Sequence, residues 1–260
     1  NNCKKIIFVS KWVKKKFFEN LDVNHKNNTE IIYNFINPLK KFPKKEKIII
    51  FSGKLNKSKG FNIFANTITK ILDKYSNWSA IVFGDEPREK INIYHKRLSI
   101  NNWIDHKKLL KYYCKSSISV VNPTWEEPFG RTAMESASRG CAVITSKSGG
   151  LSETFSNNII LKKNNSKHLF EEISKLIENK KYLKTIQLSN FKNVKHTPES
   201  NIKKLDNLRI NFSSLNQLNN KRFKIIHIAN FGQKLNYRLF NISIAHKITN
   251  GLIRNGNDVI

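Results

Sequence analysis

The feature that most constrains the fold of this chain is a regular alternation of short apolar runs with longer amphipathic segments, which begins at Lys47. The first run, Ile48–Phe51, is continuously apolar, as expected for a parallel strand that helices cover on both faces. The predicted strands are 47–52, 79–84, 102–105, 118–122, 141–145 and 158–162. The predicted helices are 60–75, 87–99, 106–116, 130–139, 149–155 and 166–179. This pattern predicts an α/β fold with a Rossmann-like parallel sheet and helices on both of its faces.

The loop after the first predicted strand carries glycines and two lysines. Ligands of parallel sheets bind at the carboxyl ends of the strands, where this loop lies. Gly53 lets the backbone turn closely, and Lys54 and Lys59 place two cations beside it. Paired ammonium groups at a glycine turn are suited to a diphosphate. The alternative is that both lysines are ordinary surface charges, because the chain is rich in lysine.

The stretch from Trp125 to Ala137 follows the fourth predicted strand and opens a helix. It places Glu127 in the strand-to-helix loop and Glu135 one to two turns inside the helix. Backbone amides at a helix start favour an anion, and carboxylates accept hydrogen bonds from sugar hydroxyl groups. The stretch therefore predicts a ligand that is both sugar and phosphate. The alternative is a pair of solvated surface glutamates.

The spacing of Glu127 and Glu135, with Pro-Phe-Gly directly after the first glutamate, resembles the signature of the family 4 retaining glycosyltransferases. Members of that family have the two-lobed GT-B fold. The resemblance implies transfer of a sugar from a nucleotide diphosphate sugar to an acceptor hydroxyl, with the anomeric configuration retained. It also implies that Glu127 holds hydroxyl groups of the donor sugar and that Glu135 holds the ribose.

The loop Gly53-Lys54-Leu55 … Lys59-Gly60 resembles the Gly-Arg-Leu … Lys-Gly of the same family, whose Arg and Lys bind the donor diphosphate. Lys54 stands at the Arg position, where it keeps the charge but loses the bidentate guanidinium fork. The resemblance therefore implies Glu127, Lys59 and Lys54 as catalytic residues. The implied donor-binding residues are Gly53, Lys54, Lys59, Ile104, Glu127, Phe129, Gly130, Arg131 and Glu135. It implies no metal and no cofactor, because the lysines and the helix dipole replace a cation and the nucleotide sugar is the substrate.

Three shorter segments resemble parts of this family in the same order along the chain. Residues 82–85 resemble its strand-end turn, and residues 103–105 correspond to a loop around the nucleotide base. Residues 148–153 resemble its Gly-Gly-x-x-Glu loop, in which Glu153 is expected to act structurally or at the rim of the site. Each match is weak alone. Their order and spacing across residues 47–160 are what carry the resemblance.

The resemblance also implies a division of the chain. Its four parts are the end of a GT-B N-terminal lobe at 1–38, the nucleotide-sugar-binding lobe at 44–195, a helix and linker at 196–220, and the opening β-α-β of a second GT-B N-terminal lobe at 221–260. Residues 40–47 are rich in Lys and Pro and are predicted to be a linker. We expect the chain to bind nucleotide, to transfer no sugar as an isolated fragment, and to pack poorly at 223–260.

The composition is strongly basic, with a formal net charge of +28 from 47 Lys and Arg against 19 Asp and Glu. Such a charge favours nucleic acid or an anionic membrane as a partner. Abundant Lys, Asn and Ile with few Gly and Pro are also typical of an A/T-biased genome, so no specific nucleic acid is expected. Between predicted strands at 5–9 and 30–36, residues 11–21 form a predicted basic helix. This helix either packs on a sheet or lies on anionic lipid.

The three cysteines, Cys3, Cys114 and Cys141, are isolated, which argues against a disulfide scaffold or a zinc site. We expect a cytoplasmic location, which includes a peripheral position at the inner face of the cell membrane. The expected acceptor is a glycan or a lipid-linked molecule. Two alternatives to a glycosyltransferase stay open: another GT-B enzyme such as a nucleotide-sugar epimerase, and a non-catalytic basic module that binds anions, nucleic acid or membrane.

Overall fold

A computed structural model of the 260-residue chain describes residues 5–19, 28–88, 92–155, 159–219, 224–225 and 258–259. The described strands are β1 (Ile6–Phe8), β2 (Thr29–Ile31), β3 (Glu46–Ser52), β4 (Ser79–Phe83), β5 (Leu98–Asn101), β6 (Ser116–Val121), β7 (Ala142–Thr145), β8 (Ile159–Ile160), β9 (Lys224–Ile225) and β10 (Asp258–Val259). The described α-helices are α1 (Lys11–Phe18), α2 (Phe61–Lys74), α3 (His106–Lys115), α4 (Arg131–Ser138), α5 (Ser166–Glu178), α6 (Lys180–Lys192) and α7 (Pro198–Asn219). The chain divides into two units, Phe35–Pro198 and a second made of Asn1–Asn34 with Glu199–Ile260.

The larger unit is built on one six-stranded sheet in the order β5-β4-β3-β6-β7-β8. Every neighbouring pair in it is parallel. The chain runs outward from β3 through β4 to β5, then returns to the other side of β3 as β6. In such doubly wound sheets the point of reversal, here between β3 and β6, is where ligands bind. The Rossmann-like α/β fold predicted from the sequence is confirmed.

Alternate residues of the central strand face two separate cores. Ile49 and Phe51 lie in one hydrophobic cluster with residues of α2 and α5. Ile50 lies in a second cluster with Tyr113 of α3 and Ala133 of α4. All three β3 residues are at most 2% exposed, so the strand is buried on both faces. This two-sided burial explains why the run is continuously apolar.

The segment between β4 and α3 differs most from the sequence prediction. The helix predicted at 87–99 is wrong, because the described residues from 87 to 97 contain no helix and β5 starts at Leu98. The strand predicted at 102–105 is also misplaced, since β5 ends at Asn101 and pairs with β4. Leu98 and Ile100 alternate with polar residues and pack against the first cluster. The free energy gained when this segment pairs with β4 as an edge strand outweighs its helical propensity.

Two further predicted elements are shorter or more firmly held than expected. The helix predicted at 149–155 is a 3₁₀-helix, Gly149–Glu153. The predicted linker at 40–47 is anchored by Lys45, whose Nζ donates to the backbone oxygens of Tyr113, Ser116 and Arg139 at 2.9, 2.9 and 2.6 Å. Burial lowers the pKa of Lys45 below its ordinary value. The residues that enter the sheet are therefore part of the packed unit.

In the smaller unit β1 and β2 pair in parallel, and Phe8 of β1 is buried against two phenylalanines of α1. The ring centroids of Phe17 and Phe18 lie 5.3 and 5.9 Å from that of Phe8. The predicted basic helix therefore packs its aromatic residues on a strand. The strand predicted at 30–36 is shorter than expected and ends at Ile31.

The carboxyl-terminal part of the chain is described only in pieces. α7 continues through the two serines at 213–214, which the sequence marks as linker-like. β9 and β10 pair in parallel, with Lys224 opposite Asp258. The remainder of the predicted unit at 223–260 lies outside the described residues, so the prediction that it packs poorly stays a prediction. Within the described residues, no helix combines the length and apolarity that a membrane span requires.

Candidate functional site

The loops that follow β3 and β6 meet at the point where the strand order reverses. After β3 the chain forms a short 3₁₀-helix, Lys57–Lys59, in which the Asn56 side chain accepts a hydrogen bond from the Lys59 amide at 3.1 Å. Gly60 follows in the left-handed conformation with φ of 78°. A Cβ at Gly60 would lie 2.0 Å from the backbone oxygen of Asn122, the first residue after β6. Only glycine permits this approach, which brings the two loops together.

Lys59, Trp125 and Glu127 form a cluster at this junction. The ammonium of Lys59 lies 2.7 Å from Oε2 of Glu127, to which the indole N–H of Trp125 also donates at 3.1 Å. The same ammonium lies 4.6 Å from the centre of the Trp125 ring, within the range of a cation–π interaction. Both bonds to the carboxylate end on Oε2, and no hydrogen bond within the described residues reaches Oε1. The structure therefore joins two of the predicted site residues and adds Trp125.

The glycine loop at 148–150 holds the backbone of Glu127 in place. The Gly150 amide donates to the Glu127 backbone oxygen at 2.8 Å. A Cβ at Gly149 would lie 2.1 Å from that oxygen, and Gly149 has a φ of 55°. The Ser148 hydroxyl donates to the backbone oxygen of Trp125. The loop that resembles Gly-Gly-x-x-Glu thus supports the cluster through its backbone, while the backbone oxygen of Glu153 contacts Nε2 of His196 at 2.7 Å.

Glu135 lies between the starts of two helices and has different partners. Its Oε1 is 3.1 Å from Nη2 of Arg131, the first residue of α4, and 3.1 Å from Nε2 of His106, the first residue of α3. Glu135 as a whole residue is only 5% exposed. Helix starts in this fold face the carboxyl edge of the sheet, so Glu135 and Glu127 share one edge. Gly130, with φ of 94°, turns the chain into α4 between them.

The remaining predicted site residues lie around the same edge without joining either carboxylate. Lys54 is exposed, and no hydrogen bond or ion pair within the described residues reaches its ammonium. Gly53 donates its amide to the Phe83 backbone oxygen at 3.0 Å. Ile104 is half-buried and packs against the second hydrophobic cluster. Phe129 is buried, with its ring centroid 5.6 Å from that of His196.

Glu86 belongs to the support of this site, although the sequence analysis assigned it no role. The side chain is buried and accepts from Asn56 Nδ2 at 2.9 Å and from Arg88 at 2.6 and 2.9 Å. Arg88 first, then Asn56, lower the pKa of Glu86 to about 2. Because Asn56 caps the turn that carries Lys59, Glu86 positions that lysine. The sequence signal was an acidic residue three positions after the end of β4.

We expect Glu86→Gln to lower stability in a way that depends on pH. The folded-state pKa lies below the ordinary value of 4.5, so the contribution of Glu86 is present above pH 4.5 and is lost as the pH falls from about 4.5 towards 2. Urea unfolding of wild type and Glu86→Gln should give free energies that differ most near neutral pH and converge in acid. Arg88→Ala should remove most of this pH dependence. A difference that does not change with pH would contradict the assignment.

The described residues contain no group of three or more His, Cys, Asp and Glu side chains that could hold a metal ion. Two cations of the site, Lys59 and Arg131, each lie beside a carboxylate. The absence of a cofactor remains a prediction.

Sequence reasoning did not find His106 as a partner of Glu135, although its place directly after the capping Asp105 marks it as the start of α3.

The model of the family described as glycosyl transferases group 1 matches residues 34–191, which is more than half of the chain. The chain belongs to the glycosyl transferases group 1 family. The matched residues contain the whole six-stranded sheet and every site residue described above. Membership in this wider family confirms the glycosyltransferase resemblance, while the narrower family 4 assignment and the fusion to a second transferase stay predictions.

Two curated relatives illustrate the range of similarity. An uncharacterised glycosyltransferase of Methanocaldococcus jannaschii is 30% identical over 200 residues, which cover 71% of this chain and 53% of the relative. An uncharacterised 41.2 kDa protein in the cps region of Klebsiella pneumoniae is 28% identical over 167 residues, which cover 59% of this chain and 45% of the relative. The chain thus spans about half the length of these relatives.

Among solved structures, the Anabaena protein HepE in complex with UDP-glucose is similar to this chain with a TM-score of 0.60. The match is 17% identical and covers 72% of this chain and 58% of HepE. This likeness shows the fold of the GT-B glycosyltransferases. The division of the chain into lobes, by contrast, stays a prediction.

Proposed function

We propose that the chain binds a nucleotide diphosphate sugar and takes part in transfer of the sugar to an acceptor hydroxyl, with the anomeric configuration retained. The observation that carries this proposal is the Lys59–Trp125–Glu127 cluster at the point where the strand order reverses. It places side by side an ammonium and a carboxylate whose Oε1 accepts no hydrogen bond from any residue that the structure describes. Family membership favours transfer over the epimerase and over the non-catalytic basic module.

Lys59 is proposed to neutralise the diphosphate as it leaves the sugar. Departure of a nucleoside diphosphate develops negative charge on its terminal phosphate, and a fixed ammonium nearby stabilises that charge. Lys59 is held by Glu127 and by the Trp125 ring, so its position does not depend on the ligand. Lys54, exposed on the same loop, supplies a second cation, and the amides at the start of α4 supply the helix dipole.

Glu127 is proposed to hold hydroxyl groups of the donor sugar. Its Oε2 is engaged by Lys59 and Trp125, so Oε1 is the oxygen that faces a ligand. A carboxylate is acceptor-only when ionised, which suits sugar hydroxyl donors. The same carboxylate binds Lys59, which is proposed to neutralise the diphosphate. Glu127 is therefore proposed to lie beside the bond between the sugar and the diphosphate.

Glu135 is proposed to hold the ribose of the nucleotide. Arg131 and His106 both bind Oε1, which leaves Oε2 to accept from a ribose hydroxyl. Its near-complete burial limits it to a ligand that enters between the starts of α3 and α4. Ile104 lies two residues before α3, in the loop proposed to surround the base.

Calorimetric titration of the chain with UDP-, GDP- and ADP-glucose tests this proposal. UDP-glucose is the first candidate because HepE, whose fold is similar, binds it. At least one of the three is expected to bind, and the corresponding nucleoside diphosphate is expected to compete with it. The acceptor is proposed to be a glycan or a lipid-linked molecule. Failure of all three nucleotide sugars to bind would contradict the proposal.

Replacing each carboxylate is expected to separate the two roles. Glu135→Gln should weaken UDP and UDP-glucose equally, by about tenfold, because a ribose contact is lost in both complexes. Glu127→Gln should weaken UDP-glucose more than UDP, because only the sugar needs Oε1. Calorimetry with both ligands measures the difference. Glu126→Gln, at the exposed neighbouring carboxylate, is the matched control, and equal losses for both ligands in Glu127→Gln would exclude the sugar contact.

A further inference from the structure

A polar cavity lies beside the Glu127 loop, at the carboxyl ends of β6, β7 and β8. Its volume is about 420 Å³, within the range of small-molecule pockets. The residues that line it are Pro123, Thr124, Ser146, Lys147, Ser148, Leu161, Lys162 and Asn164. None of the donor-site residues is among them. The cavity is therefore separate from the donor site but shares a wall with it, because Ser148 donates to the Trp125 backbone.

The polar groups of this wall are mostly satisfied within the protein. The hydroxyl of Thr124 donates to the Lys57 backbone oxygen at 2.8 Å, and that of Ser146 to the Pro123 backbone oxygen at 2.8 Å. The Asn164 amide donates to the backbone oxygens of Asn122 and Pro123 at 3.1 and 3.0 Å. These side chains line the cavity, and their hydrogen-bond donors are already bonded to backbone oxygens of the protein. The groups that remain to bind a ligand are the lone pairs of the hydroxyl oxygens and the ammonium groups of the lysines.

Lys147 and Lys162 are the only charged residues that line the cavity. Both are exposed, and no carboxylate within the described residues lies within ion-pair distance of either ammonium. Each ammonium offers three donors and no acceptor. This contrasts with Lys59, whose ammonium is engaged by Glu127. Two unpaired ammonium groups around a polar cavity without a carboxylate favour an anion with several acceptor oxygens.

We propose that this cavity is a second anion site, which binds the phosphoryl group of a phosphorylated acceptor. The anion site follows from the lining residues alone. Its assignment to the acceptor rests on the proposed function, because the cavity shares a wall with the loop that carries Glu127, where the donor sugar is proposed to lie. The ligand class is a phosphate monoester or diester, with the phosphoryl group between Lys147 and Lys162.

Calorimetry with glycerol 3-phosphate as the probe, and glycerol as its neutral counterpart, tests the site. The titration is done on the whole chain, first alone and then with a saturating concentration of UDP. Glycerol 3-phosphate is expected to bind in both conditions, and glycerol in neither. Competition between glycerol 3-phosphate and UDP would overturn the proposal, because the phosphate would then occupy the donor site.

The double variant Lys147→Gln/Lys162→Gln is expected to weaken binding of glycerol 3-phosphate at least tenfold. Its affinity for UDP is expected to differ from that of the wild type by less than twofold. The matched control is Lys167→Gln/Lys181→Gln, which removes the same charge at two exposed lysines outside the cavity. Equal losses in both double variants would overturn the site, since the binding would then follow net charge alone. If UDP fails to bind while the lysine-dependent phosphate binding persists, the anion site stands and its assignment to an acceptor falls with the proposed function.

Discussion

Lys59→Ala is expected to weaken binding of UDP by about 10- to 100-fold, which corresponds to about 1.4–2.7 kcal/mol, as expected for the loss of one charged hydrogen bond. Uridine, which has no phosphate, should bind nearly as before. The reason is that Lys59 is the cation that the structure fixes at the reversal of the strand order, 2.7 Å from Glu127. Calorimetry with both ligands, at one ionic strength, gives the two affinities.

Lys57 supplies the matched control for this experiment. It lies in the same 3₁₀-turn, carries the same charge and is exposed, and its backbone oxygen accepts from the Thr124 hydroxyl at 2.8 Å. Lys57→Ala should therefore change UDP affinity by less than about twofold, the effect of a screened surface charge. Equal losses of UDP and uridine in Lys59→Ala would show that the substitution disturbs the loop and that Lys59 is not a phosphate ligand.

Gly84→Ala is expected to destabilise the chain by at least about 4 kcal/mol, in the range of severe strain at a special backbone position. Gly84 directly follows β4 and has a φ of 148°, and a Cβ there would lie 1.8 Å from the backbone oxygen of Gly53. That oxygen belongs to the loop after β3, so the clash forces apart the two strand ends that border the site. Urea unfolding followed by circular dichroism measures the loss.

Gly53 has the same φ of 148°, but a Cβ at this residue would meet no heavy atom within 4 Å. Gly53→Ala therefore carries the conformational strain without the clash, about 1–3 kcal/mol. The difference between the two variants isolates the cost of the close approach. Similar losses for Gly53→Ala and Gly84→Ala would mean that the two loops move apart easily, and that their approach does not rigidify the site.

Much of the larger unit was predictable because its signals are local. A run such as Ile48–Phe51 is too apolar for any strand with a solvent face, so it predicts a sheet covered on both sides. The glycines around Lys54 and Lys59 mark a turn at a strand end, and a parallel sheet brings all such ends to one edge. The start of α4 at Arg131 follows from the Pro-Phe-Gly turn before it. Each of these inferences needs only residues near one another in the chain.

Other features depend on partners distant in sequence. Leu98 and Ile100 form a short edge strand only because β4 offers them an unpaired side, and the segment alone favours a helix. Lys45 is in a stretch of linker-like composition, yet three backbone oxygens from α3, β6 and the end of α4 bind its ammonium. A half-buried cation of this kind leaves no pattern in the sequence, because its neighbours come from three separate elements.

The sequence by itself determined which residue types stand at the carboxyl edge of the sheet: two lysines after β3, and a glutamate on each side of the turn into α4. Only the tertiary structure decided their pairing. Lys59 meets Glu127 because β3 and β6 are neighbours, although 68 residues separate the two side chains. Glu135 pairs instead with His106 and Arg131, because α3 and α4 pack side by side on one face. Strand order is set by burying both faces of the sheet at once, a global condition that no single stretch of the chain contains.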